Sequence, residues 1–343
     1  MHFLTAKIVY IIRMKRFSRK ILKLIPALCF CCPELLSAKE ISVINWNLQT
    51  FFDANRDGCE YQEFQKSKKW NKDAYLKRLK NVCTFMNSTN SDIYVFEEIE
   101  NAGIIYDISN QLAGNVWNQK KYWNYGTFYK NEGDAIGCAV ISRFPINNVK
   151  IHNLDIRTEI KQPSMRPVME LSISIQDDEE LVLLVNHWKS KSGGAKESEK
   201  WRNWQEGVLS NCFYRNRGKK VFAAGDFNRD INEFCIIKPE QNNTAGAVNI
   251  LLRDFSHHTG EAVFSPWFCK NSGEFVFPGS YFFKEHWERI DHFFASKEIV
   301  IKDFFPLTDS LWCNEETKIP FSYRIYTGTG WSDHLPIKCI LEF

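Results

Sequence analysis

Two hydrophobic patterns alternate along the chain. Apolar residues spaced by three or four positions predict amphipathic helices, and short continuous or alternating apolar runs predict strands. The predicted helices cover residues 73–86, 102–113, 197–209 and 245–253. The predicted strands cover residues 40–47, 92–96, 135–142, 149–154, 168–175, 181–187, 221–224, 289–295 and 335–342. Strand pairs joined by short turns mix with strand–helix–strand units, so the pattern predicts mixed sheets covered by helices.

The first 38 residues have the order of a signal peptide. A basic stretch precedes an apolar segment at 21–32, and small residues follow it. We therefore predict a signal peptide over 1–38, with Met14 as an alternative start, and a single domain over 39–343. The predicted location is the periplasm or the exterior of the cell. A lipoprotein or a membrane anchor is the alternative, although the apolar segment is shorter than a spanning helix needs.

Composition and charge narrow the class of protein. A content of 44% hydrophobic and 15% aromatic residues excludes general disorder. The formal charge is +3, but the predicted leader carries seven basic residues and one acid, which leaves 37 basic against 40 acidic residues and a charge of −3. Any attraction of the predicted domain to phosphate must therefore be local.

Polar side chains recur where apolar strands end. After the strand at 221–224, Asp226 and Asn228 leave on the same face, and burying them without a partner costs several kcal/mol. Similar residues follow or begin the other strands. The full set is Asn47, Glu98, His187, Asp226, Asn228, Asp291, Asp333 and His334.

The residue types in this set indicate a reaction. Carboxylates and carboxamides, with no HExxH motif and no CxxC pair after residue 38, suit Mg²⁺ or Mn²⁺ rather than zinc. Two histidines can handle protons or steady a phosphoryl charge. The absence of a GxSxG elbow and of a P-loop argues against a serine hydrolase and against nucleoside-triphosphate turnover. The inventory predicts metal-assisted hydrolysis of a phosphoester by water.

Six short motifs occur in a fixed order over about 41–343. They are Asn45-Trp46-Asn47, Phe96-Glu97-Glu98-Ile99, Asn186-His187-Trp188, Gly225-Asp226-Phe227-Asn228, Arg289-Ile290-Asp291-His292 and Ser332-Asp333-His334-Leu335-Pro336. This set resembles the endonuclease/exonuclease/phosphatase superfamily, which has a DNase I-like fold. The resemblance implies a four-layer α/β sandwich, in which two packed, mixed and largely antiparallel β-sheets are flanked by helices.

The resemblance also implies a metal site. Glu98 is expected to be the main metal carboxylate, with Asn47 beside it, and Asp333 to complete the polar cluster or a second metal position. Mg²⁺ is the expected ion, with Mn²⁺ or Ca²⁺ as alternatives. Glu97 stands where the family usually has Gln, and it is expected either to accept a hydrogen bond near the metal or to face away.

Five residues are expected to be catalytic by the same resemblance. Asp226 would orient or deprotonate the attacking water, and Asn228 would hold a phosphate oxygen. Asp291 would orient His334 next to the phosphoryl group, and His187 would contact the phosphate from the other side. The group that protonates the leaving oxygen stays open.

Substrate contacts are predicted at four further positions. Arg143 and Arg166 are candidates for the phosphate, with structural ion pairs as the alternative, and Lys189 and Trp188 are candidates for gripping a backbone and stacking a base. The loop after His187 resembles secreted nucleases. We therefore expect a monomeric nuclease acting on DNA or RNA, with no protein partner.

Two other functions stay open. A phospholipid or inositol-phosphate phosphodiesterase of the same superfamily is the first, because the fold and the site determine the reaction but not the leaving group. A binding protein that kept the fold and lost catalysis is the second, and the intact set of site residues argues against it.

Overall fold

The computed structural model describes residues 10–13, 39–113, 123–154, 162–176, 178–236, 247–250, 260–269 and 274–343. The helices of these residues are α1 Gln62–Lys66, α2 Lys72–Thr89, α3 Ala102–Ala113 and α4 Ala195–Arg215, with a 3₁₀ turn at Ile231–Glu233. The strands are β1 Tyr10–Arg13, β2 Glu40–Phe51, β3 Ile93–Ile99, β4 Tyr125–Tyr129, β5 Gly137–Ser142, β6 Ile146–His152, β7 Val168–Gln176, β8 Glu179–His187, β9 Lys220–Asp226, β10 Cys235–Ile236, β11 Ala247–Ile250, β12 Glu261–Phe264, β13 Tyr281–Phe283, β14 His286–Glu288, β15 Asp291–Ala295, β16 Val300–Pro306 and β17 Ile337–Glu342.

The strands form two large sheets and one hairpin. The first sheet has the order β1-β4-β5-β3-β2-β17-β16, and the second has the order β10-β11-β12-β15-β9-β8-β7-β6. Strands β2 and β3 pair in parallel, as do β8 and β9, and the other described pairs are antiparallel. The predicted mixed, largely antiparallel sheets are confirmed.

Helices cover the outer faces of both sheets. Ile44 and Phe96 of the first sheet share a hydrophobic cluster with Leu79 of α2 and Ile105 of α3. A second cluster joins Val43, Val95 and Val140 of the first sheet to Leu183, Ala224 and Phe293 of the second, and it continues to Leu209 and Phe213 of α4. Helices, sheet, sheet and helix therefore make the four layers of a DNase I-like α/β sandwich.

Local sequence explains why α2 has these limits. Leu79, Val82 and Met86 recur at helical spacing and are buried against the sheet. The Asn71 side chain accepts a hydrogen bond from the Ala74 N–H at 3.1 Å, which caps the start of the helix. Asn90 ends the helix in the left-handed conformation, with φ of 47°.

The predicted helix at 245–253 is wrong over residues 247–250, and its other positions lie outside the described residues. Residues 247–250 form strand β11, which pairs with β10 on one side and with β12 on the other. Short apolar runs have too few turns for their period to separate helix from strand, and here pairing with two neighbours satisfies the backbone hydrogen bonds.

The predicted signal peptide is largely outside the described residues. Residues 10–13 form β1, which pairs with β4 at the edge of the first sheet. Residues 1–9 and 14–38 are not among the described residues. The boundary at 38/39 therefore stays a prediction. None of the helices in the described ranges combines the length and apolarity that crossing a bilayer requires.

One edge of the sandwich collects the strand ends that bear polar side chains. The parallel pairs β2/β3 and β8/β9 each end there. Strand β15 begins there, with Asp291 opposite Asp226 of β9, and β17 begins just after His334. The sheet topology therefore brings residues that are far apart in the chain to a single edge.

Candidate active site

Two carboxylates and one amide form the centre of this edge. Asn47 Nδ2 lies 3.0 Å from Asp226 Oδ2 and 3.3 Å from Glu98 Oε1. The second Glu98 oxygen accepts a hydrogen bond from the Thr50 N–H at 2.6 Å. Asn47 Oδ1 accepts from the Gln49 N–H at 2.9 Å. The amide nitrogen of Asn47, rather than its oxygen, therefore faces the two acids.

A bulge directs Glu98 into the site. Its φ is +62°, and the register of β3 against β5 shifts between Glu97 and Ile99. Strand alternation without the bulge would give the inner face to Glu97 and turn Glu98 away. With the bulge, Glu97 stays inside the sandwich and Glu98 also reaches the site.

His187 lies between the two acids. Its Nε2 is 3.7 Å from Asp226 Oδ2 and 3.9 Å from Glu98 Oε1. Burial, followed by the charges of Arg166 and His334, lowers the pKa of His187 well below its ordinary value. His187 is therefore neutral at pH 7, and it does not compensate the charge of the carboxylates.

This donor set fits a hard divalent cation. Glu98 and Asp226 present oxygens to the same space, and neither forms an ion pair with Lys or Arg within the described residues. Oxygen ligands with at most two carboxylates are what Mg²⁺ takes in proteins, with water and substrate filling its other positions. Glu98 and Asp226 are the residues of this edge that would hold the ion.

Asp226 has a pKa close to neutrality. Burial raises it to about 7; the charge of His334 opposes this rise, and that of Asp291 adds to it. The backbone N–H and side-chain Nδ2 of Asn228 donate to the two Asp226 oxygens at 2.8 and 3.0 Å. Asn228 Nδ2 also lies 3.2 Å from the Trp188 carbonyl oxygen. Asn228 thus positions Asp226, and its role towards a phosphate oxygen stays a prediction.

An aspartate–histidine pair forms the opposite wall. His334 Nδ1 is 2.8 Å from Asp291 Oδ2, which also accepts from the Ser280 hydroxyl at 2.6 Å. Burial alone would lower the pKa of His334, but the Asp291 charge and hydrogen bond outweigh it, and the pKa is raised well above its ordinary value. The predicted pairing of these two residues is therefore present, and it holds a charged imidazole with Nε2 turned away from Asp291.

Asp333 lies beside this pair. Its Oδ1 is 4.0 Å from His334 Nε2, and its side chain is 30% exposed. Partial burial raises its pKa, and the nearby His334 opposes that rise. Asp333 is thus at the mouth of the site, and its predicted metal role stays untested.

Arg166 and Lys189 provide positive charge at the same edge. Arg166 Nε and Nη2 donate to the carbonyl oxygens of His187 and Trp188 at 3.0 and 2.7 Å. Burial and the Arg166 charge lower the pKa of Lys189. Within the described residues, neither cation pairs with an acid. Two neighbouring cations without counter-ions favour an anion at this position.

Two predicted substrate contacts are contradicted. Trp188 is 1% exposed and packs on Phe227 with ring centroids 4.8 Å apart, so it belongs to the core and cannot stack on a base. Arg143 pairs with Asp92 at 3.0 Å, before the start of β3, whereas Glu98 is near its end. A strand of this length separates Arg143 from the site by roughly 20 Å.

Some residues of the site carry little sequence signal. Ser280 supports Asp291, and nothing in its local sequence marks that role. Glu97 is fully buried under the site, and neither of its carboxylate oxygens has a hydrogen-bond partner within the described residues. Burial, followed by the charges of Asp291 and Asp226, raises its pKa well above the ordinary value. Strand alternation was the available signal for its inward direction.

Comparisons with known proteins agree with this geometry. A family model described as the Endonuclease/Exonuclease/phosphatase family matches residues 42–342. A search of curated proteins found no match. Among solved structures, humanized Danio rerio TDP2 matches with 15% identity and a TM-score of 0.54, over 89% of this chain and 99% of that one.

Two further solved structures have a similar fold. The human nocturnin catalytic domain matches with 16% identity and a TM-score of 0.52, over 88% of this chain and 94% of that one. An endonuclease/exonuclease/phosphatase family protein from Bacteroides thetaiotaomicron matches with 16% identity and a TM-score of 0.50, over 90% and 99%. Members of this family are phosphoester hydrolases that generally use divalent metal ions. The chain belongs to the endonuclease/exonuclease/phosphatase family.

Proposed function

We propose that this protein is an exported, Mg²⁺-dependent phosphodiesterase that hydrolyses DNA or RNA with an activated water. The observation that carries the proposal is the meeting of Glu98, Asp226 and His187 opposite the Asp291–His334 pair. One wall is acidic and suits a metal, and the other carries a buried imidazolium. A phosphodiester placed between them would contact both.

The side chains divide the chemistry between them. When bound by Glu98 and Asp226, the divalent cation would polarise the phosphoryl group and offset its negative charge. Asp226, whose carboxylate oxygens are held by Asn47 and Asn228, is placed to orient the attacking water or to accept its proton. His334 donates from Nε2 to the charge that develops on the phosphoryl group, and Asp291 holds the ring for that task. Arg166 and Lys189 add positive charge on the flank.

A cavity beside the site supports a nucleic-acid substrate. It has a volume of about 580 Å³ and is lined in part by Phe321, Arg324 and Trp331. Trp331 is two residues before Asp333, so the cavity wall lies at most about 7 Å along the chain from the site. The exposed ring of Phe321 and the exposed cation of Arg324 suit a base and its neighbouring phosphate.

A second candidate, hydrolysis of a phospholipid, is favoured by the β13–β14 hairpin. The Tyr281 ring lies 4.7 Å from the His334 ring, and Phe283 is 49% exposed. An apolar surface next to a site is suited to contact with a membrane. The hairpin turn consists of Lys284 and Glu285, however, and two ionised side chains at its tip oppose insertion into a membrane.

A substrate panel tests this proposal. Purified 39–343 is incubated with Mg²⁺ and plasmid DNA, RNA, sphingomyelin or phosphoinositides. We expect cleavage of nucleic acid that EDTA abolishes and that His187→Ala loses. His152→Ala is the control and should keep the activity, because His152 lies outside the site and is hydrogen-bonded to Glu170. Cleavage of lipids alone would contradict the nuclease, and turnover of none of the four would contradict the enzyme.

Export needs its own test. Residues 1–38 are fused to alkaline phosphatase, which becomes active only outside the cytoplasm, and the fusion is expressed in a bacterial host. We expect phosphatase activity with the fusion and none when the basic stretch and the apolar segment are deleted. An inactive full fusion would contradict export.

A further inference from the structure

A second group of acidic side chains lies outside the active site, in the loop that follows β2. One carboxylate oxygen from each of Asp57, Glu60 and Glu100 lies within 4.8 Å of the others. Glu60 and Glu100 are buried, with 4% and 1% of their surface exposed. The Asp53 backbone N–H donates to Glu100 Oε2, so the loop closes onto the end of β3 at this point.

No cationic side chain offsets this charge. Within the described ranges, none of the carboxylates of Asp53, Asp57, Glu60 and Glu100 forms an ion pair. Arg56 belongs to the same loop, but its Nη2 turns away to the carbonyl oxygens of Ser67 and Trp70, at 2.7 and 3.4 Å. Three acids therefore converge without a counter-ion, and Asp53 lies in the same loop.

Glu100 is a separate observation that favours a cation here. Its Oε2 accepts the Asp53 N–H, and its Oε1 has no hydrogen-bond partner in the part of the chain that is described. The side chain is almost fully buried, and the charges that act on it most strongly are those of Asp53, Asp57 and Glu60. A buried side chain whose nearest charged neighbours are other acids is stabilised when a cation binds its carboxylate.

The loop sequence has the spacing of a calcium-binding loop. Asp53, Asn55, Asp57 and Gly58 occupy positions 1, 3, 5 and 6 of the D-x-[DN]-x-[DN]-G pattern, and Gly58 makes the turn with φ of +92°. Position 12, normally Glu, is Phe64 here. The buried carboxylates of Glu60 and Glu100 would replace the carboxylate that position 12 supplies in such loops.

We propose that Asp53, Asn55, Asp57, Glu60 and Glu100 form a Ca²⁺ site that fastens the 53–60 loop to the end of β3. Ca²⁺ accepts six to eight oxygens in irregular arrangements, whereas Mg²⁺ requires a near-ideal octahedron and keeps several waters. The site is structural, and it holds the segment that follows Glu98.

Terbium luminescence tests the site without any catalytic readout. Trp70 Nε1 donates to the Asp53 carbonyl oxygen at 2.7 Å, so its indole is close enough to sensitise a bound Tb³⁺. The assay uses Glu98→Gln, which removes one of the two carboxylates of the active-site metal position. We expect a saturable Tb³⁺ signal that Ca²⁺ displaces, and a loss of most of that signal when Trp70→Phe is added.

Asp57→Asn provides the decisive comparison, because Asp57 is exposed and its replacement leaves the core intact. In the Glu98→Gln background it should weaken Ca²⁺ binding about tenfold or more and abolish the rise in Tm that Ca²⁺ produces. Asp73→Asn, an exposed acid at the start of α2, is the matched control and should change neither value. Absence of saturable binding in Glu98→Gln, or binding unaffected by Asp57→Asn, would overturn the proposal.

Discussion

Replacing Asp291 with Asn isolates the role of the buried imidazolium. Asp291 Oδ2 accepts from His334 Nδ1 and from Ser280, whereas Oδ1 is buried with no partner within the described residues. The variant keeps the shape of the side chain and removes its charge. Burial then acts on His334 with less opposition, so we expect its pKa to fall.

The expected fall in the His334 pKa and in kcat follows from the energy of the Asp291–His334 ion pair. Removing one partner of a buried, hydrogen-bonded ion pair costs about 3–5 kcal/mol, which corresponds to roughly two to four pKa units of the imidazole. If His334 must be charged in the transition state, the same energy lowers kcat by about 10²- to 10⁴-fold. The substrate KM should change much less.

Two measurements on one sample check this reasoning. Hydrolysis of bis(p-nitrophenyl) phosphate at saturating Mg²⁺ gives kcat, and NMR titration of the imidazole nitrogens gives the protonation state of His334. His292→Phe is the matched control, because its side chain lies on the opposite face of β15 and packs on Phe227. A variant Asp291→Asn with kcat within about threefold of the wild type would refute the assigned role. So would a large loss of kcat with the His334 pKa unchanged.

Two further changes test the fold away from the reaction. The hydrogen bond from His152 lowers the pKa of Glu170 to about 2; burial opposes this, and the hydrogen bond from Lys150 adds to it. The ionised Glu170 therefore stabilises the fold above about pH 4.5, and this stabilisation disappears as the pH falls through 2. Glu170→Gln should therefore reduce the free energy of unfolding by about 1–2 kcal/mol at pH 7, after allowance for solvent screening, and by almost nothing near pH 2 in urea titrations. Gly225→Ala would place a Cβ 1.9 Å from the Asn186 carbonyl oxygen, and we expect a loss of about 3 kcal/mol or more. In Gly193→Ala the added Cβ meets no atom within 4 Å, so only the positive φ is strained and the free energy of unfolding should fall by only about 1 kcal/mol. Urea titrations of both variants measure the two losses, and equal losses would argue against the clash at Gly225.

Residues at strand ends were predictable because two rules act together. Alternation determines the face of the sheet on which a strand residue lies. The end of an apolar run shows where the strand ends, and so which residues lie at the edge of the sheet. Asp226 and His187 follow such runs, and the parallel pairing of β8 with β9 puts them opposite each other. The resemblance supplied the pairing of strands, which local patterns cannot provide.

Other features depend on distant packing. Trp188 follows His187 in the chain, and only the position of Phe227 shows that its ring is part of the core. Arg143 ends one strand of the site-bearing sheet, but antiparallel pairing puts that end at the opposite edge. The bulge at Glu98 could not be predicted either, because it depends on a register shift between β3 and β5, and the sequence of β3 alone does not indicate that shift.

The positive φ of Glu98 has a consequence for how the protein would respond to selection. A non-glycine residue in this conformation is strained by about 1–3 kcal/mol, and its carboxylate also faces Asp226. Glu98→Asn adopts left-handed backbone more readily and removes one of the two charges. The inactive variant should therefore unfold at a higher temperature than the wild type in metal-free buffer. In a screen for heat resistance alone, the residue best suited to hold the catalytic ion would be among the first to be replaced.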